Sequence, residues 1–199
     1  MIVPRRRLIV LGALLACGFD QLGAQESHPA DRAARLVAAA ESQVGVTVRY
    51  DNSYRRLVYP GGDVPLEVGV CTDVLVRAYR RALGIDLQQR VHEDMRRAWR
   101  VYPKIWGLSR PDANVDHRRV PNLEVYFRRH GVALPPSSDP DAYRAGDIVS
   151  WRLAGGQPHI GLVTARRTDG RPLVVHNIGA GVKVEDVLFA YRIVGHFRF

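Results

Sequence analysis

The sequence predicts an α+β fold. Apolar residues recur at helical spacing through roughly the first two thirds of the chain. Short β-rich runs separated by tight turns fill the remainder. Helices first and an antiparallel sheet second is the α+β order. With no internal repeat, low-complexity segment or linker, residues 25–199 are expected to form one domain.

The chain opens on a leader. Arg5-Arg6-Arg7 precedes a short apolar run from Leu8 to Ala16, and Leu22-Gly23-Ala24 offers a small-residue cleavage site before Gln25. The run falls short of the about 20 residues that span a bilayer. A signal peptide over residues 1–24 is therefore expected, giving an exported, periplasmic or secreted protein. The alternative is Leu14-Leu15-Ala16-Cys17, which resembles a lipoprotein cleavage box and would place a lipid anchor on Cys17. No second apolar run follows, so no transmembrane segment is expected in the mature chain.

Cleavage removes Arg5, Arg6, Arg7 and Asp20, lowering the formal charge from +9 to +7. A basic exported protein is drawn to anionic surfaces such as cell-wall polymers. Export argues against nucleic acid as a partner, and neither a recognition-helix pattern nor an aromatic-rich binding strand is present.

The elements follow in order. Asp31 is placed to cap a helix running through Val44, with Ala33, Leu36, Val37, Ala40 and Val44 on one face and Gly45 as its stop. Thr47 to Gly69 reads as extended and turn-rich. A second helix runs from Cys71 to Leu83 and stops at Gly84. A third spans about Leu87 to Trp99, with Pro103 beyond it. A fourth runs from Pro121, a residue suited to a first helical turn, to His130, with Gly131 as its stop. The predicted strands are Gly146 to Leu153, His159 to Arg166, Pro172 to Ile178, Val182 to Phe189 and Tyr191 to Phe199.

Cys71 carries the chemistry. It is the one cysteine left after removal of the leader, and an exported protein usually pairs its thiols. A thiol attacks only as thiolate, and a helix N-terminus lowers its pKa. Cys71 is thus expected to be an accessible, low-pKa nucleophile. Two histidines lie on adjacent predicted strands, His159 and His176. With a hairpin turning near Asp169-Gly170 they stand roughly opposite each other, as a base and its orienting partner require.

Blander readings compete. Cys71 is also compatible with an inert buried residue, and each histidine with a core or surface position. A Cys-His-His zinc site is a third reading, weakened by the lack of closely spaced ligand pairs. Among accessory candidates, Asp73 is expected to serve the helix terminus and Asn177 to assist His176 or end its strand. Asp116 and His117 lie in a polar loop, where solvent exposure is the default and substrate contact the alternative. Trp99, Tyr102 and Trp106 are candidates to line a cleft, Trp99 also fitting the core by its spacing.

Gly146-Asp147-Ile148-Val149-Ser150-Trp151, then His159-Ile160-Gly161-Leu162-Val163, then His176 resembles the strand signature of the NlpC-type and CHAP-type cell-wall hydrolases. Cys71-Thr72 is similar to the CHAP-type nucleophile motif. Residues 31 to 199 also resemble the exported bacterial family catalogued as domain of unknown function 1287. That likeness is carried by Pro60 to Pro65, Val91 to Met95, Asp116 to Leu123 and Val175 to Gly181. The resemblance implies a papain-like fold with Cys71 as nucleophile, His159 as base and His176 as orienting residue. It implies an amidase or endopeptidase acting on cell-wall peptides, without metal or cofactor. The segment from Gly84 to Asn122 is longer and more basic than in the compact hydrolases. An envelope-binding protein with a papain-like cleft is the alternative, as is an acyltransferase using the same thiol.

Overall fold

The computed structural model describes residues 28–199. The leader, its cleavage site and Cys17 lie outside the described residues. Helix α1 spans Pro29–Glu41, strand β1 Arg49–Tyr50 and strand β2 Val68–Gly69. Helix α2 covers Cys71–Leu83, α3 Leu87–Arg97 and α4 Val120–His130. Strands β3 (Val132–Leu134), β4 (Ile148–Arg152), β5 (Pro158–Thr168), β6 (Arg171–Asn177), β7 (Val182–Glu185) and β8 (Arg192–Arg198) complete the fold. The last six form one antiparallel sheet in the order β3-β8-β4-β5-β6-β7, and β1 pairs with β2 in parallel. The α+β expectation holds. Among the described residues no helix is long and apolar enough to cross a membrane.

One face of the sheet receives the helices. Ile148, Ile160, Leu162, Val175, Val182 and Phe197 pack there against Leu36, Ala40, Leu75, Ala78, Tyr79 and Phe127. The other face carries a smaller cluster around Val149, Trp151, Val163, Val174, Tyr143 and Leu188. Alternate residues of β4 and β5 thus enter different cores, as the two-residue period of a strand dictates.

The ends of α2 follow local chemistry. Gly84 adopts φ 65°, and its N–H bonds Arg80 while Ile85 bonds back to Tyr79, the double closure that a left-handed residue permits. Other boundaries shift. Helix α1 begins two residues before Asp31, which sits in its first turn rather than capping it, and ends at Glu41. Helix α3 ends at Arg97, and Trp99–Val101 forms a separate 3-10 turn. Strand β7 stops at Glu185, and a turn closed by Ala190 N–H on Val187 follows. Short β3 escaped the sequence reading. Asp147 shapes the turn into β4 by accepting the Arg144 N–H at 3.0 Å. It also binds His196 and Arg198 of β8, each at 2.7 Å.

The segment between β1 and α2 is organised by one guanidinium. Buried Arg77 on α2 forks onto Asp63 at 2.8 and 3.0 Å and reaches Thr47 Oγ1 at 2.8 Å. It also donates to the carbonyls of Val64, Pro65, Leu66 and Val68. Replacing Arg77 with Ala leaves those acceptors unpaired, and a loss of about 3–5 kcal/mol is expected from urea unfolding. Arg77→Lys should recover little, since one ammonium cannot reproduce the planar fork. Recovery of wild-type stability by Lys would show that charge alone matters.

Candidate functional site

Cys71 is the first residue of α2, and its backbone direction is set by Asp73. One carboxylate oxygen accepts the Val70 N–H at 2.7 Å, closing the start of the helix. Asp73 is also gripped by Arg118, whose Nε and Nη2 each lie 3.0 Å from a carboxylate oxygen. Arg118 continues to the carbonyls of Asp51 and Ser53. A single side chain therefore ties the Asp51–Ser53 segment to the start of α2.

The thiol is not accessible as expected. Cys71 is only 4% exposed, and burial pushes its pKa up to about 12. The Ile160 N–H and those of Thr72 and Cys71 itself favour the thiolate, while nearby Asp73 opposes it. Desolvation of the charged form outweighs the helix terminus. Tyr50 stands in the same field, its hydroxyl raised to about 12 by partial burial, Cys71 and Asp73.

The histidines meet on the sheet. His159 Nε2 and His176 Nδ1 are 2.8 Å apart, with rings edge to face. Leu162 pairs with Val175 across β5 and β6, so His176 stands one step further on, level with Gly161 and diagonal to His159 rather than opposite it. Gly161 is closely packed opposite His176. A Cβ there would come within 2.6 Å of Val174 and 3.2 Å of the His176 Cβ. Trp151, the register partner of His159 on β4, stacks on its ring at 5.6 Å. Burial lowers the His159 pKa to about 3, with His176 adding in the same direction. Burial also lowers that of His176, against an opposing pull from Glu185.

Cys71 and His159 are not joined by a hydrogen bond among the described residues. The thiol instead meets the N–H of Ile160, the residue after His159. The histidine pair forms a line rather than a convergent set, since a nitrogen of each ring is spent on the other. A zinc site would aim all three donors at one point. Among the described residues no group of three or more His, Cys, Asp or Glu side chains is arranged to hold a metal.

The remaining candidates fall elsewhere. Asn177 donates to the Gly69 carbonyl at 3.0 Å and receives the Gly179 N–H, fastening the end of β6 to the residues before Cys71. Asp116 and His117 are buried in a 3-10 turn, not solvated. Burial raises Asp116 to about 6 and lowers His117 to about 3. Trp99 packs against the core beneath Lys104, Trp106 lies under Arg119, and buried Tyr102 bonds Asp94 at 2.7 Å. A cavity of about 260 Å³ is lined by Gln43, Thr47, Leu66, Arg77 and Arg81, with none of the predicted site residues among its walls.

Sequence reasoning missed Arg118 and Glu185. Glu185 Oε2 lies 3.0 Å from His176 Nε2. Its strand alternates, and Glu185 follows Lys183 at the two-residue spacing of one face, but nothing in the sequence ties that face to His176.

Known proteins can now be set beside this geometry. The family model described as Domain of unknown function (DUF1287) matches residues 37–199. The uncharacterized protein YijF of Escherichia coli (strain K12) is 56% identical over 165 residues, covering 82% of this chain and 80% of that protein. Two solved structures show a looser likeness of shape. The NlpC/p60 domain of peptidoglycan hydrolase SagA overlays with a TM-score of 0.45 at 18% identity, over 84% of this chain and 98% of that one. NlpC1 from Trichomonas vaginalis gives 0.48 at 15% identity, over 90% of this chain and 48% of that one. The match over residues 37–199 and the identity to YijF make the chain a member of the DUF1287 family.

Proposed function

We propose that this chain is an exported cysteine hydrolase of amide bonds, with cell-wall peptides as its substrate class. The observation that carries the reading is the buried His159–His176 pair at 2.8 Å, with His159 on a strand whose Ile160 N–H meets the thiol at the start of α2. A thiol on the first residue of a helix and histidines on the antiparallel sheet beneath it are the parts a papain-like hydrolase needs. The basic chain suits the anionic polymers of a cell wall.

In this reading the Cys71 proton passes to His159 as the sulfur attacks the amide carbon. Backbone N–H groups at the start of α2 are the donors available to the oxygen that becomes negative. His159 returns the proton to the leaving amine, and an acyl thioester remains on Cys71. Water then gives its proton to His159 and attacks the thioester, releasing a carboxylic acid and restoring the thiol. With Cys71 raised to about 12 and His159 lowered to about 3, the resting pair is neutral.

One observation favours a second reading. A thiol only 4% exposed suits a non-catalytic envelope-binding protein. Incubation with purified peptidoglycan, followed by mass spectrometry of released fragments, decides between them. Hydrolysis predicts new amine and carboxyl ends from the wild type and none from Cys71→Ser or His159→Gln. Binding of the wild type to peptidoglycan without fragments would establish the second reading.

The histidine pKa values also fix a direction in pH. The folded value for His159 lies below the ordinary 6.5, so the unfolded chain binds its proton first. Its contribution to stability is complete above about pH 6.5 and is lost as pH falls toward 3; His117 acts the same way. Asp116, raised to about 6, acts oppositely, losing stability as pH rises from about 3.8 to 6. The difference between variants isolates one group. Urea midpoints at pH 7.5 and 5 should fall less in His159→Gln than in the wild type. An equal fall in both would show that His159 does not resist protonation in the folded chain.

A further inference from the structure

The histidine pair ends on an acid. Glu185 Oε2 stands 3.0 Å from His176 Nε2, and its other oxygen lies 3.9 Å from Lys183 Nζ. An ionised carboxylate only accepts hydrogen bonds, so His176 Nε2 must carry the hydrogen. A neutral imidazole has one N–H, which leaves His176 Nδ1 as an acceptor. The 2.8 Å contact then needs its hydrogen on His159 Nε2. His159 Nδ1 is left bare.

We propose that Glu185 is a positioning residue that, through His176, sets the tautomer of His159 so that Nδ1 is the atom that takes the Cys71 proton. The proposal rests on the hydrolase reading for its catalytic meaning, while the tautomers themselves do not. Without an acceptor at position 185, His176 is free to hold its hydrogen on Nδ1 and donate it to His159 Nε2. The hydrogen of His159 then moves to Nδ1, the atom that must be bare to act as a base. In the relay as built, proton transfer turns His159 into an imidazolium whose Nε2–H still points at a His176 lone pair. Glu185 faces that charge from beyond the second ring. Trp151 and Gly161 hold the rings in place but carry no group that selects a tautomer.

Glu185 is the last residue of β7 with its side chain 37% exposed, so substitution there removes the bond to His176 but no apolar core contact. The test uses the full chain with ¹⁵N-labelled histidine at pH 7.5, comparing wild type, Glu185→Leu and Glu185→Gln. Long-range ¹H–¹⁵N spectra of the wild type should show both His159 and His176 protonated at Nε2 only. In Glu185→Leu, His176 should shift toward the Nδ1–H form. Fragment release from peptidoglycan should fall about tenfold in kcat with KM little changed, the lower end of what outer-shell partners of an imidazole contribute. Glu185→Gln keeps an accepting oxygen and should keep both tautomers and most of the rate. The proposal is overturned if His176 carries its hydrogen on Nδ1 in the wild type. It is also overturned if Glu185→Leu leaves the tautomers unchanged, or if both variants lose equally. Wild-type spectra as expected, with no fragment release, would uphold the relay and remove the hydrolase reading instead.

Discussion

Two buried guanidinium groups hold the approach to the thiol, and the site depends on them. The segment from Thr47 to Gly69 has only a two-residue ladder, so its backbone carbonyls need donors from elsewhere. Arg77 supplies them from α2, and Arg118 does the same for Asp51 and Ser53 while gripping Asp73. A planar group with five N–H donors can satisfy several carbonyls at once, which an ammonium cannot. The result is that a stretch without regular structure is fastened to the helix whose first residue is Cys71. The long basic segment between α2 and α4 has a physical purpose here, since it delivers Arg118.

Within that frame the thiol is governed by two opposing effects. A helix N-terminus stabilises an adjacent anion by typically 0.3–1 kcal/mol, up to about 2 in partly buried geometry. Full burial shifts a titratable group by as much as 3–5 units, and each unit is about 1.4 kcal/mol. Burial wins at Cys71. The same low-dielectric surroundings keep His159 and His176 neutral, so the charged groups at the site are confined to its edges: Asp73 with Arg118 on one side, Glu185 with Lys183 on the other.

Most of the architecture was legible because periodicity reports burial directly. The α2 boundaries followed from apolar spacing and Gly84, and five of the six sheet strands from β-rich runs between turns. The misplaced ends of α1, α3 and β7 lie where hydrogen-bonded turns, not side-chain patterns, decide. Strand β3 is three residues long and carries too little pattern to register. At the site, Cys71, His159 and His176 stood out by residue type and position. Their contact geometry did not, because it rests on a diagonal across β5 and β6 rather than on a directly opposed pair. Arg118 and Glu185 were invisible for another reason: charged residues are ordinarily surface residues, and nothing local marks the few that reach inward. Asp116 and His117 show the converse, polar residues in a loop that the fold nevertheless buries.

The outer strands of the six-stranded sheet bear on how the chain behaves among copies of itself. An uncovered strand presents a row of unpaired N–H and C=O groups that another chain can extend. Here the two outer strands are β3 and β7, only three and four residues long. Strand β7 also places Lys183 and Glu185 along its length, and charge at such a margin discourages intermolecular pairing. Two short margins, one of them charged, make the sheet a poor template for fibril growth, a form of protection that requires no partner protein.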